Sequence, residues 1–152
     1  MADYYSGTKT TIEKFLVAMK IGTDRISSIT PDDFSETQTR IDDSLDDELS
    51  SVLYTPILKV QDKDSNSVYP GTIRTIALKR VAAELILTVF SDTEPNITQS
   101  AVEYKRQCDE EIARIQKREI SIRGQIYKNY NKFIPPEIAP LTQPGTTLPQ
   151  GG

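Results

Sequence analysis

Histidine is absent from the 152-residue sequence, which removes the side chain that most often serves as a general base, a metal ligand or a member of a catalytic triad. No glycine-rich phosphate-binding loop is present either. The one cysteine, Cys108, has no histidine to activate it, so we expect a packed core thiol and not a nucleophile. These absences predict that the protein is not an enzyme and needs no cofactor.

Export and membrane signals are also scarce. A single cysteine excludes an intramolecular disulfide and fits a reducing compartment. The N-terminal stretch MADYYSGTKTT has no basic segment followed by an apolar one, so it does not resemble a secretory signal. The most apolar run, VAAELILTVF, is too short to span a bilayer and follows Lys79 and Arg80. The expectation is a soluble protein that is not exported and has no membrane contact.

Charge is present in both signs but is distributed unevenly along the chain. The net charge is only -4, so the whole molecule is not an electrostatic nucleic-acid binder. Residues 31–50 carry eight acids and one base, whereas residues 105–152 carry eight bases and five acids. This polarity favours head-to-tail contacts between copies of the chain. The basic face is predicted to include Arg106, Arg114, Lys117 and Arg118.

Hydrophobic periodicity predicts an all-α fold, a small four-helix bundle. Thr30 and Pro31 are a typical helix start, and the third helix is apolar on more than one face and should be central. The segment QDKDSNSVYPG between the second and third helices is predicted to be a polar loop. The predicted helices are about Thr10 to Lys20, Pro31 to about Tyr54, about Thr72 to Phe90, and from a cap at Asn96 or a neighbour to a left-handed Gly124.

Composition changes after Gly124, which divides the chain into a helical domain (1–124) and an extended C-terminal arm (125–152). The arm contains five of the nine prolines and no helical period. It is more apolar and aromatic than a linker requires, so we expect it to bind a partner. The residues predicted to do so are Ile126, Tyr127, Tyr130, Phe133, Ile134, Pro135 and Pro136.

The stretch DDSLDDE in the second helix is the one candidate for metal chemistry. Its Asp-Asp-x-x-Asp pattern also occurs in the magnesium-diphosphate motif of isoprenoid synthases, but those are far longer proteins and no second acidic motif is present here. Projection on a helix places the acids away from Ile41 and Leu45, so they should form a solvated face, a contact with a basic neighbour or a surface that repels polyanions. The acids so placed are Asp42, Asp43, Asp46 and Asp47, and Glu48 is predicted to join them at a subunit interface or in the DNA channel.

The order of these segments resembles the head completion, or adaptor, proteins of tailed bacteriophages. The resemblance covers about Thr10 to Ser91 and is carried by TIEKFLVAMKIG, by IDDSLDDELSSVLYTPI and by PGTIRTIALKRVAAELIL. The most telling part is the end of the second helix, in which apolar residues are followed by Tyr54, Pro56 and Ile57. The residue types involved are common in helical proteins.

The resemblance implies a structural virion protein that assembles in the host cytoplasm. Such adaptors form a ring, here expected to be a dodecamer, below the portal protein and join the DNA-filled head to a tail-proximal connector or tail protein. The acids would line the DNA channel or contact a neighbouring copy, and DNA would pass without sequence-specific binding. Two alternatives remain, a non-viral regulatory or interaction bundle that dimerises through the third helix, and a magnesium-dependent phosphate enzyme that uses Asp42 and Asp46.

Overall fold

The computed structural model describes residues 3–89 and 95–128, and this part of the chain is mostly helical, which confirms the all-α prediction in its coarse form. Five helices and one two-stranded hairpin are present among the described residues. They are α1 (Lys9–Ala18), α2 (Thr23–Ser27), α3 (Pro31–Leu49), β1 (Val60–Gln61), β2 (Ser67–Val68), α4 (Gly71–Val89) and α5 (Pro95–Gln116).

The helix α4 is the centre of the fold, as its apolar character predicts. It packs against α1, α3 and α5, so its apolar residues are covered on three sides. Phe90, at the predicted end of this helix, lies outside the described residues. The buried residues of α4 are Ile73, Ile76, Ala77, Val81, Ala82, Ala83, Leu85 and Ile86.

The helix α3 begins as the sequence predicts. Thr30 and Asp33 form a reciprocal capping box, and Pro31 occupies the first helical position, where its missing N–H costs nothing. The predicted apolar stripe is buried, including Phe34 and Leu45. The predicted end near Tyr54 is wrong: the helix ends at Leu49.

The physical reason for this early end is a tight turn after Leu49. The amides of Val52 and Leu53 both donate to the Leu49 carbonyl, at 3.1 and 2.9 Å, which closes the helix. The turn directs Val52 and Leu53 into the core, where they are 5% and 0% exposed.

At the N-terminal end, α1 is shorter than predicted and is followed by an unexpected helix. The hydroxyl of Thr8 accepts from the Thr11 amide and caps α1, which ends at Ala18 and not at Lys20. Lys20 instead adopts φ 71°, a conformation that cannot continue a helix. The short α2 follows, and its buried Ile26 attaches it to the core.

The helix α5 ends at Gln116, eight residues before the predicted end. Arg118 adopts φ 62° and its amide donates to the Ile115 carbonyl, so it takes the left-handed position that was predicted for Gly124. Gly124 does have a positive φ of 75°, but it lies beyond the helix, in the turn that passes β1. Asn96, the predicted cap, lies inside the first turn of α5, which begins at Pro95.

The segment predicted as a loop contains the hairpin of β1 and β2. Val60 pairs with Val68, and Gln61 pairs with Ser67, in antiparallel register. The side chain of Asp62 accepts from the amides of Asp64 and Asn66 and closes the turn between the strands. Within residues 3–89 and 95–128, no helix is both long enough and apolar enough to cross a bilayer.

Candidate functional site

Two of the predicted surface acids, Asp42 and Asp46, are partly covered by the segment that precedes α1. We name residues 3–8 the N-terminal strap. The amide of Tyr5 donates to Asp42 Oδ2 at 3.1 Å, and the Tyr5 hydroxyl donates to Asp46 Oδ1 at 2.6 Å. The expectation that all four aspartates lie away from the core is therefore wrong for this pair, because helical projection takes no account of a distant segment that folds across the helix.

The strap is held by further bonds. The Tyr5 hydroxyl accepts from the Ile57 amide at 2.9 Å, and the Tyr5 ring packs edge-on against Tyr69. The buried amide of Gln38 donates to Ser6 Oγ and to the Gly7 carbonyl at 2.9 and 2.8 Å. The strap thus joins α3 to the loop before β1, and Tyr5 is a residue whose importance the sequence pattern did not indicate.

Burial under the strap changes the acidity of both aspartates. It raises the pKa of Asp42 to about 7, because the charged form loses solvation, and the neighbouring Asp46 charge adds to this effect. Asp42 Oδ1 is buried and accepts no hydrogen bond among the described residues. Burial likewise raises the pKa of Asp46, although the Tyr5 hydroxyl opposes the change.

Glu48 is also used inside the protein. Both of its oxygens accept from the guanidinium of Arg80, at 2.7 and 3.0 Å, and Arg80 also donates to Asp109 at 2.9 Å. This pairing with Arg80 holds the pKa of Glu48 below its usual range. The group of three charges therefore links α3, α4 and α5.

The remaining two acids, Asp43 and Asp47, are exposed and belong to a longer acidic feature. At about 100° per residue they lie within about 60° of Asp32 and Glu36 on the surface of α3. All four side chains are exposed, and none is bonded to a cation or a donor among the described residues. We name Asp32, Glu36, Asp43 and Asp47 the acidic ridge. It runs for about 22 Å along the helix.

The arrangement of the acids bears on the magnesium alternative. Asp42 and Asp46 face Tyr5, whereas Asp43 and Asp47 face solvent, so the four carboxylates do not converge on one point. In the part of the chain that the structure describes, no group of three or more potential ligands is arranged to hold a metal ion. An Asp-Asp-x-x-Asp motif holds a metal only where its carboxylates converge, and among the described residues these four do not.

Cys108 is packed in the core as predicted. It is 1% exposed, and its thiol donates to the Ile76 carbonyl at 3.4 Å. Burial raises the pKa of this thiol to about 11, so the thiolate is scarce at neutral pH.

The predicted basic face on α5 is largely neutralised by acids of the same region. Arg106 forms ion pairs with Glu103 and Glu110, and Arg114 lies 3.3 Å from Glu111. Lys117 is exposed. Arg118 donates to the Lys128 carbonyl at 3.2 Å. Since local pairs screen much of this charge, the face is a weaker partner for an acidic neighbour than the sequence suggests.

The first four residues of the predicted arm belong to the folded body. The Tyr54 amide donates to the Ile126 carbonyl at 3.0 Å, and the Lys128 amide donates to the Val52 carbonyl at 2.9 Å. We name residues 125–128 the C-terminal anchor. The division at residue 124 therefore does not coincide with the edge of the packed structure.

Side chains of the C-terminal anchor add to this attachment. The side-chain amide of Gln125 accepts from the Leu58 N–H through Oε1 and donates to the Leu58 carbonyl through Nε2, each at 2.8 Å. The Tyr127 hydroxyl accepts from the Ile122 amide at 2.7 Å. Tyr127 is therefore used within the chain, whereas Ile126 is 58% exposed. The other residues predicted to bind a partner lie outside the described part: Tyr130, Phe133, Ile134, Pro135 and Pro136.

The alternative of a dimer formed through the third predicted helix would need exposed apolar side chains on α4. Among the described residues, the exposed large hydrophobic side chains are Val17, Tyr54, Leu58, Val102 and Ile126, and none of them lies on α4. Three of them adjoin the C-terminal anchor, and of these three the sequence analysis named only Ile126 as a partner-binding residue.

Comparisons with models of protein families, with curated proteins and with solved structures find no match to this chain.

Proposed function

We propose that this chain is a structural virion protein of a tailed bacteriophage, an adaptor that forms a ring below the portal protein. The ring joins the DNA-filled head to a tail-proximal connector or tail protein, and the chain is not an enzyme. The proposal starts from the sequence resemblance and from a small helical body with a proline-rich C-terminal segment. It places the protein in the virion after assembly in the host cytoplasm.

The observation that carries the proposal is the acidic ridge. Four carboxylates with no internal partner among the described residues repel one another along α3, and this repulsion lowers the stability of the monomer. A protein that surrounds DNA gains from such a surface, because a negative wall does not release counterions from DNA and so does not hold it. A ridge on the channel wall accounts for charges that the fold itself does not use.

The acids available for this role are those that form no bond inside the body. Asp42 and Asp46 bond Tyr5, and Glu48 bonds Arg80, so their first task is to hold the body together. Asp43 and Asp47 are left for the channel or for a neighbouring copy. The four longer helices α1, α3, α4 and α5 would act as the four-helix bundle of the adaptor, with the short α2 as a connector.

Binding of the purified chain to DNA-filled heads tests the proposal. Heads that carry the portal protein should bind the chain at a fixed number of copies, close to a dodecamer, and heads that lack the portal should bind none. Equal binding to both kinds of head, or no binding to either, would contradict the adaptor function. A chain with Asp43→Asn and Asp47→Asn, matched in fold, shows whether the ridge acts in ring assembly or in the passage of DNA.

A further inference from the structure

Three exposed apolar side chains lie together beside the C-terminal anchor. Tyr54 is 51% exposed, Leu58 is 45% exposed and Ile126 is 58% exposed. Val17 and Val102, the other exposed large hydrophobic residues of the described part, lie on separate helices. Isolated apolar side chains are normal on a surface, but a group of them indicates a contact site. We name Tyr54, Leu58 and Ile126 the anchor patch.

Backbone geometry places these residues next to one another. Leu53 pairs with Tyr127 in antiparallel register, so Tyr54 lies opposite Ile126 and both point away from the buried Leu53. Leu58 is held alongside by the two bonds from Gln125, the residue before Ile126. Hydrogen bonds within the chain therefore hold the patch in place before any partner binds.

The direction of the C-terminal anchor decides which segment can cover the patch. The chain runs from Ile126, opposite Tyr54, to Lys128, opposite Val52, and so it moves away from Leu58 as it leaves the described body. Lys128, the last described residue, therefore lies on the side of the patch away from Leu58, with its Nζ 5.6 Å from the centre of the Tyr54 ring. To cover its own patch, the same chain would have to reverse direction at some point after Lys128.

We infer that the anchor patch binds residues 134–141 of a second copy of the chain, so that neighbouring copies exchange their C-terminal segments. This inference rests on the proposed function for the ring that brings the copies together. The segment, IPPEIAPL, offers Ile134, Ile138 and Leu141 to an apolar surface. Its prolines restrict the unbound backbone and so reduce the entropy that binding costs.

Reach selects this part of the segment. A body of this size is about 35 Å across, and equivalent points on two touching copies are separated by a similar distance. At about 3.3 Å per extended residue, Phe133 reaches only about 17 Å beyond Lys128, whereas Ile138 reaches about 33 Å. The residues around Ile138 can therefore reach the patch of a neighbour, and a head-to-tail interface of this kind forms a ring when the rotation between successive copies closes.

Cysteine cross-linking between differently tagged copies tests the exchange. One full-length chain carries Leu58→Cys and the other carries Ile138→Cys, and the two are mixed and oxidised. Cys108 stays in place in both, because its thiol is buried and has a pKa of about 11. We expect a disulfide that joins the two tags. A matched pair with Val102→Cys in place of Leu58→Cys should give no such product, since Val102 is at least as exposed as Leu58 but lies outside the patch.

Two results would overturn the inference. The first is a disulfide between the Leu58→Cys and Ile138→Cys chains that is no more abundant than the product of the Val102→Cys pair, across a wide range of protein concentration. The other is a cross-link that forms only within a chain carrying both Leu58→Cys and Phe133→Cys, which would show that each copy covers its own patch. Neither result bears on whether the chain binds portal-bearing heads, so the exchange and the adaptor function fail separately.

Discussion

The carboxylate of Asp42 is partly buried under the N-terminal strap, where a negative charge loses solvation. One oxygen accepts from the Tyr5 amide, the other is buried without a partner among the described residues, and the charge of Asp46 lies nearby. The folded protein therefore binds a proton at Asp42 more readily than the unfolded chain does. This raised pKa contributes stability at acid pH, and the contribution is lost as the pH rises from about 4 to about 7.

Replacing the Asp42 carboxylate tests the direction of this pH dependence. Asp42→Asn keeps an oxygen for the Tyr5 amide and removes the charge, so we expect the variant to gain stability relative to the native chain as the pH rises. At pH 8 the gain should be about 1 kcal/mol, well below the full equivalent of the pKa shift because the group is only partly buried. Chemical denaturation of both proteins at pH 4, 6 and 8 gives the difference.

Asp32→Asn is the control for this series. Asp32 is exposed on the same helix and lies outside the surroundings of Asp42, so its replacement should keep the loss of stability that Asp42 causes between about pH 4 and about pH 7. A native chain that becomes more stable relative to Asp42→Asn as the pH rises would show that Asp42 is not held in the way described.

Among the elements, the turn after α5 depends on one glycine. Gly124 has φ 75°, and a Cβ at this position would lie 2.3 Å from Val60 Cγ1, which is far inside van der Waals contact. Gly124→Ala should therefore destabilise the protein by about 2 kcal/mol or more, through backbone strain and through displacement of β1. Thermal and chemical denaturation measure the loss.

Gly71→Ala provides the matched comparison. Gly71 opens α4, and the nearest atom to an added Cβ is the Arg74 guanidinium at 3.7 Å, an ordinary contact. Alanine also has the higher helix propensity, so this substitution should be neutral or stabilise the protein by a few tenths of a kcal/mol. Similar losses for both glycines would mean that Gly124 has no special requirement for its conformation.

The starts of α3 and α4 lie within one residue of their predicted positions, whereas the ends of α3 and α5 do not. The start of α3 is set by Thr30, Pro31 and Asp33, which are close in sequence. Their capping pattern can therefore be recognised in a short stretch of the chain. The ends of α3 and α5 depend on tertiary packing, because the turns there let Leu53 and Ile122 enter the core. A periodic apolar pattern continued through both turns, so periodicity alone placed both ends too late.

The candidate site shows the same division between local and distant causes. The apolar stripe of α3 correctly indicated which side faces the core, and the exposure of Asp43 and Asp47 follows from it. The burial of Asp42 and Asp46 does not, because it comes from Tyr5, thirty-seven residues away from Asp42 in sequence. The anchor patch likewise depends on the pairing between Leu53 and Tyr127, which are distant in sequence, so no local sequence pattern indicates it.

At the scale of the whole molecule, the body extends through the C-terminal anchor, and this moves the point at which truncation becomes harmful. A chain ending at Lys128 keeps every bond described between residues 125–128 and the body, so its unfolding free energy should match that of the full chain. A chain ending at Gly124 loses the pairing with Val52 and Tyr54 and the contacts of Tyr127, and should lose about 2 to 4 kcal/mol. Denaturation of the two truncated chains measures this difference.

The same two chains separate stability from assembly. The chain ending at Lys128 should fold as the full chain does but fail to enter heads, because residues 129–152 are the segment proposed to join neighbouring subunits. Normal incorporation of this chain would remove the assembly role of the segment. Equal stability of the two truncated chains would show that the C-terminal anchor adds nothing to the body.

The most direct test of the adaptor function is cryo-electron microscopy of the portal vertex in virions made by the genome that encodes this chain. The account predicts a dodecameric ring of this chain between the portal protein and the tail, with α3 on the channel wall or at the contact between neighbouring copies. A portal vertex that contacts the tail directly, or a ring built from a different protein, would contradict it.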